Sequence, residues 1–170
     1  MPNFYTTSSN VGVDLNNQSA TALFALGTKV MGTNNTEWVY VETLTAVTAN
    51  KVVGINATFT CGMQSVADMD SGFTLGFPQI AISASSYAWV ALRGENLYVM
   101  MTGSSTLVQG VVPICLGGSA VSTGMAYMVA TSTGTLAGIA ISAQGSAGQT
   151  ATATAYPCII TWPRYFAPSL

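Results

Sequence analysis

The chain contains no histidine. That removes the commonest general base, the commonest metal ligand and every Ser-His-Asp or Cys-His arrangement. Charge is nearly as scarce. Charged side chains make up 6% of the 170 residues, against about 25% in an average soluble domain. The basic residues Lys29, Lys51, Arg93 and Arg164 stand singly in the sequence, and the net charge is −2. Attraction to a phosphate backbone or to anionic lipid needs clustered Lys and Arg, so neither nucleic acid nor membrane is expected as a partner. No apolar run approaches the roughly 18 residues of a membrane helix. The opening MPNFYTTSSN has no basic and no apolar region of the signal-peptide kind.

Cysteine is sparse too. Cys61, Cys115 and Cys158 lie far apart, and an odd count does not make a closed disulfide framework. Cys115 in VVPICL and Cys158 in YPCIITW sit in apolar runs, where free Cys behaves as a small hydrophobe. Buried, reduced thiols are expected. Asn17, Asn34 and Asn56 each head an Asn-x-Ser/Thr triplet, which without secretion is expected to stay unmodified.

What is present is an ordinary hydrophobic fraction of 49%, with Gly, Ser, Thr, Asn and Ala in place of charges. A disordered chain of low hydrophobicity and high net charge is excluded. The length suits one domain with a real core. Two readings of the charge deficit stay open: a tolerant β-protein, or a protein packed into a large assembly, where few charges are needed for solubility.

Short apolar segments punctuated by Gly and small polar residues point to strands throughout. TKVMG (28–32), the turn TNNT and EWVYVETL (37–44) read as a hairpin with its tip at Asn34-Asn35, since Asn tolerates positive φ. Period-two alternation puts Trp38, Tyr40 and Glu42 on one face and Val39, Val41 and Thr43 on the other. KVVGI (51–55), ATFTCG (57–62) and FPQIAIS (77–83) read as strands, with Pro78 at a strand start or edge. In SSYAWVALRGENLYVMM (85–101), Tyr87, Trp89 and Ala91 alternate with Ala88, Val90 and Leu92. RGEN reads as a tight turn, so the stretch is expected to be a hairpin with Arg93 solvated at its tip. GVVPICL (110–116), MAYMVA (125–130), LAGIAIS (136–142) and TATATAYPCIITW (150–162) complete the series, and SATALFAL (19–26) is the one segment open to a helical reading. The expected fold is all-β, an antiparallel β-sandwich or barrel of about ten to twelve short strands. Residues 1–18 form an extended N-terminal arm, 19–164 a single domain and 165–170 a C-terminal tail.

Catalytic chemistry has little to work with. The carboxylates are Asp14, Glu37, Glu42, Asp68, Asp70 and Glu95. Asp68 and Asp70 in ADMDSG have the alternate spacing of a Ca²⁺ loop but lack its other ligands. A glycosidase needs only two carboxylates across a cleft, yet no spacing here sets up such a pair. Scattered Ser, Thr and Tyr with Trp38, Trp89 and Trp162 make either a sugar-binding surface or the inner face of a sandwich. Neither a catalytic residue, a cofactor nor a metal is expected.

The order of the pieces carries a resemblance. ALGTKVMGTNNTEWVYVETLTAVTANKVVGI (25–55) resembles a segment of the capsid decoration and related virion proteins of tailed bacteriophages, in which an LGT-V strand, a turn, a W-YV strand and a VVGI-like strand follow one another. YAWVALRG (87–94) is similar to an aromatic strand-and-turn of the same proteins. LAGIAIS and TATATAYPCIITWPR (150–164) are similar to their closing strands. The resemblance spans residues 25–164, without the loop 60–72 or the tail. It implies a non-enzymatic cement protein that binds the major capsid protein on the outer capsid surface and clamps capsomers. It also implies a homo-oligomer, with a trimer favoured, assembled in the host cytoplasm. Tail, collar or fibre-base proteins are the alternative within this class, and a soluble carbohydrate-binding module is the alternative outside it. The expected oligomer or capsid contacts are the terminal residues Phe4, Tyr5, Trp162, Arg164, Tyr165 and Phe166, because aromatics and Arg most often anchor interfaces.

Overall fold

The computed structural model describes residues 4–6, 12–63, 73–102, 110–111, 115–116, 126–127, 135–141 and 154–166. These residues are all-β, with no helix among them. The strands are β1 (Phe4–Thr6), β2 (Gly12–Asp14), β3 (Gln18–Ser19), β4 (Lys29–Met31), β5 (Glu37–Thr43), β6 (Val53–Ile55), β7 (Thr60–Met63), β8 (Thr74–Gly76), β9 (Ser86–Thr102), β10 (Gly110–Val111), β11 (Cys115–Leu116), β12 (Ala126–Tyr127), β13 (Thr135–Ile141) and β14 (Thr154–Phe166). The main sheet is open. Its path runs β10-β13-β14-β9-β5-β7-β6-β8, with β3, β4, β11 and β12 paired along its sides. Most pairs are antiparallel, but β5 with β7 and β12 with β9 are parallel, so the sheet is mixed.

The centre is the β5–β9 ladder, in which Val39 faces Val90 and Tyr40 faces Trp89. Alternation in both sequences sends side chains to two cores. Trp38, Tyr40, Trp89 and Ala91 join one apolar cluster, with Val30, Leu97, Val99, Ile139, Cys158 and Ile160. Val39, Val41, Ala88, Val90 and Leu92 join the other, with Val53, Ile55 and Cys61. The ladder is therefore buried on both faces, which explains why EWVYV and AWVAL contain almost no polar residue. Gly76 lets β8 come close to β9: a Cβ there would lie 2.5 Å from Val90 Cγ1 and 2.8 Å from Ile55 Cδ1.

The β4–β5 hairpin forms as expected, with Met31 opposite Glu37 and Asn34 and Asn35 both at positive φ at its tip. Three segments differ from expectation. Residues 85–101 are one long strand, not a hairpin: residues 86–93 pair with β5, and residues 94–101 pair with β14. Of residues 77–83, only Phe77 and Ile82 make isolated bridges, to Ala91 and Val47. Pro78 has no N–H to extend a ladder. Residues 19–26 hold no helix beyond the end of β3. There Leu23 donates its N–H to the Tyr40 hydroxyl at 3.0 Å, and the Phe24 ring sits 5.3 Å from both the Tyr40 and the Trp89 rings.

Within residues 1–18, β2 pairs with β1, Leu15 is 1% exposed in the first core, and Gln18 faces Ala88 on β9. The loop 65–72 with Asp68 and Asp70 lies outside the described residues, as do residues 167–170.

Candidate functional site

The irregular point of the fold is the place where β9 changes partner. Gly94 has φ 136° and Asn96 φ 58°, so the chain turns locally without leaving the strand. A Cβ on Gly94 would lie 2.5 Å from Thr36 Cγ2 and 2.6 Å from its Cα; only glycine combines that φ with that approach. Beside it, Arg93 is half-buried. Its Nε donates to Glu37 Oε2 at 2.7 Å, and Lys29 Nζ donates to Glu37 Oε1 at 2.9 Å. Arg93 is thus held at the β5–β9 junction instead of being solvated at a hairpin tip. Burial of Glu37 raises its pKa, but the hydrogen bonds and charges of Lys29 and Arg93 outweigh this and hold the carboxyl below its ordinary value. A carboxylate held ionised in this way serves as a structural counter-ion and is a poor general base near neutral pH.

Of the cysteines, Cys61 and Cys158 are free and buried, and burial pushes both thiols up to about 12. Thiolate, the reactive form, is scarce at such values. Cys115 lies on β11 opposite Tyr127. Among the described residues, no group of three His, Cys, Asp or Glu is placed to hold a metal ion, and no helix is long and apolar enough to cross a membrane.

The terminal residues expected as contacts lie in strands on different ladders. Phe4 and Tyr5 sit on β1 opposite Asp14 and Val13. Arg164, Tyr165 and Phe166 sit on β14 opposite Ala137, Leu136 and Thr135, and Trp162 lies in the same strand near the register shift.

A second set of candidates is visible only in the structure. Leu23 is 65% exposed, Leu44 61%, Met31 51% and Tyr98 48%, with Phe24 and Ile159 also exposed. Tyr98 and Ile159 belong to the outer face of the β9–β14 ladder, whose inner face carries Leu97, Val99, Cys158 and Ile160. Period-two alternation in LYV and CII was the signal that could have found them. Two of the three tryptophans, Trp38 and Trp89, are buried at 3% and 2% exposure. No protein-family model matches the chain, and no curated protein sequence is significantly similar to it.

Proposed function

We propose that the chain is a non-enzymatic structural protein of a tailed-phage virion, a capsid decoration protein that binds the outer capsid surface as a homo-oligomer and bridges neighbouring copies of the major capsid protein. The observation that carries this reading is the set of large apolar side chains, Leu23, Met31, Leu44 and Tyr98, left between 48% and 65% exposed on a chain with only 6% charged residues. Several large apolar side chains left exposed suit a surface that is covered by a partner, and scarce charge suits a surface that is covered in an assembly. The likeness of residues 25–164 to decoration proteins supports the same reading. A sandwich-type body, in which β6 and β7 pack on one face of the β5–β9 ladder, fits the two apolar clusters on opposite faces of that ladder.

The mechanism is additive burial. Each copy covers apolar surface across capsid subunits, and a stable contact of this kind buries on the order of 1,200–2,000 Å². Many copies together resist internal pressure. A carbohydrate-binding module built on a tryptophan platform is opposed by the burial of Trp38 and Trp89. Quantitative mass spectrometry of purified virions, with heads and tails separated, tests the proposal. A head protein in copy number comparable to the major capsid protein is expected. A few copies confined to tails would replace this reading with the tail or collar one, and absence from virions would end both.

A further inference from the structure

The partner change in β9 builds a groove of about 390 Å³, within the ~300–1,000 Å³ typical of small-ligand sites. Its walls come from three turns: the β4–β5 tip with Asn34, the 48–51 turn with Asn50, and the β9 kink with Glu95 and Asn96; Asn16 and Tyr98 complete the rim. Trp38 and Leu97, both 3% exposed, form an apolar floor. The three turns are tied to one another and to the body by backbone hydrogen bonds. Glu95 donates its N–H to the Asn34 carbonyl at 3.0 Å. Asn50 donates to Pro78 O at 2.7 Å, and its own carbonyl accepts the Met100 N–H at 2.7 Å.

Tyr98 is placed with equal care. The Gln79 side chain takes the role of a missing strand: its Oε1 accepts the Tyr98 N–H at 2.8 Å, and its Nε2 donates to the Tyr98 carbonyl at 3.1 Å. The tyrosine backbone is fixed while its ring stays about half exposed. Asn34, Asn50 and Asn96 all have positive φ, at 56°, 64° and 58°, and all three line the same hollow. Asn16 and Asn50 are half-buried, and their side-chain amides make no hydrogen bond among the described residues.

We infer that this groove binds a neutral saccharide. Each asparagine amide offers both a donor and an acceptor, the pairing that neighbouring sugar hydroxyls require. Glu95 adds an acceptor for a pair of hydroxyls. The Tyr98 ring offers a rigid amphipathic face for the C–H side of a pyranose. The lining contains no Lys or Arg, and with Glu95 at the rim a phosphorylated or otherwise anionic ligand is disfavoured. A fixed frame lowers the ordering cost of binding. This site is separate from a tryptophan platform. It shares Tyr98 with the exposed apolar set, but sugar binding by the free protein in solution does not depend on the capsid reading.

The test is saturation-transfer NMR of the full chain with neutral trisaccharides of glucose, mannose, galactose and N-acetylglucosamine at millimolar concentration. Affinities are measured by titration, with inorganic phosphate as the charged control. A second arm measures retention on the matching insoluble polysaccharides, which separates free oligosaccharide from a polymeric surface as the source. At least one sugar series is expected to bind, in one arm or both. Tyr98→Ser and Asn50→Gly should each weaken binding at least tenfold while leaving the circular dichroism spectrum and Tm unchanged. Glycine keeps the positive φ at position 50, and Tyr98 is about half exposed, so both variants should fold; if one does not, Asn96→Gly takes its place. Binding of no series, binding of phosphate in preference to sugar, or sugar binding unchanged in folded variants would each overturn the inference.

Discussion

Glu37 is the most heavily paired charge among the described residues, and its position makes it a pH-sensitive fastener. Its carboxyl is held below the ordinary value of 4.5 in the folded state. A depressed carboxylate contributes stability that is complete above the unfolded value and is lost as pH falls through the folded one. Urea unfolding of the wild-type protein should therefore show stability falling below about pH 4.5. Glu37→Gln should be less stable near neutral pH and flatter across that acidic window; an identical pH profile would refute the role given to Glu37. Trp89 tests packing at the same scale. It is 2% exposed and contacts Tyr40 and Phe24 at ring-centre distances of 5.0 and 5.3 Å. Trp89→Ala should cost about 3–5 kcal/mol in unfolding free energy, and an unchanged Tm would count against the two-core description. The thiols give a third check. Cys61 and Cys158 are buried, with values near 12. Alkylation followed by mass spectrometry should leave both unmodified in native protein and modify both in denaturant.

At the scale of elements, β9 decides the architecture, because one strand serves β5 with its first half and β14 with its second. Gly94 is the point on which this depends. Gly94→Ala would place a Cβ against the Thr36 backbone at a φ that L residues rarely adopt, and should cost about 1–3 kcal/mol in chemical unfolding. A stability equal to wild type would show that the kink is relaxed. The alternation of Trp38/Tyr40 against Val39/Val41, and of Trp89/Ala91 against Val90/Leu92, was legible in the sequence, because period two needs no knowledge of the partner. The kink was not. Gly and Asn at positive φ are the local signal both of a hairpin tip and of a partner change, and only the distant Thr154–Ile160 segment pairing with residues 94–101 separates them. Residues 77–83 misled for a related reason: their apolar pattern is that of a strand, but Pro78 breaks the ladder and Gln79 bonds through its side chain. Val11, Val13 and Leu15 alternate at period two, but the run is short and set among polar residues, so it reads as arm until Val13 and Leu15 are seen in the core. The groove residues were equally hidden, because Asn16, Asn50, Asn96 and Tyr98 meet only through tertiary pairing.

For the whole molecule, the distribution of exposed side chains sets the expected behaviour. Leu23, Met31, Leu44, Tyr98 and Ile159 are exposed, on a chain of which only 6% is charged. Attachment to a capsid would then be mainly apolar and hydrogen-bonded, and exposed ion pairs, which salt screens, would contribute little. The central claim is tested most directly by co-sedimentation of the full chain with expanded tailed-phage capsids, the proposed target, at low and at high salt. The account predicts saturable binding in fixed ratio to the major capsid protein, little changed between about 0.05 and 0.5 M salt. Failure to sediment with capsids at either salt concentration would contradict it.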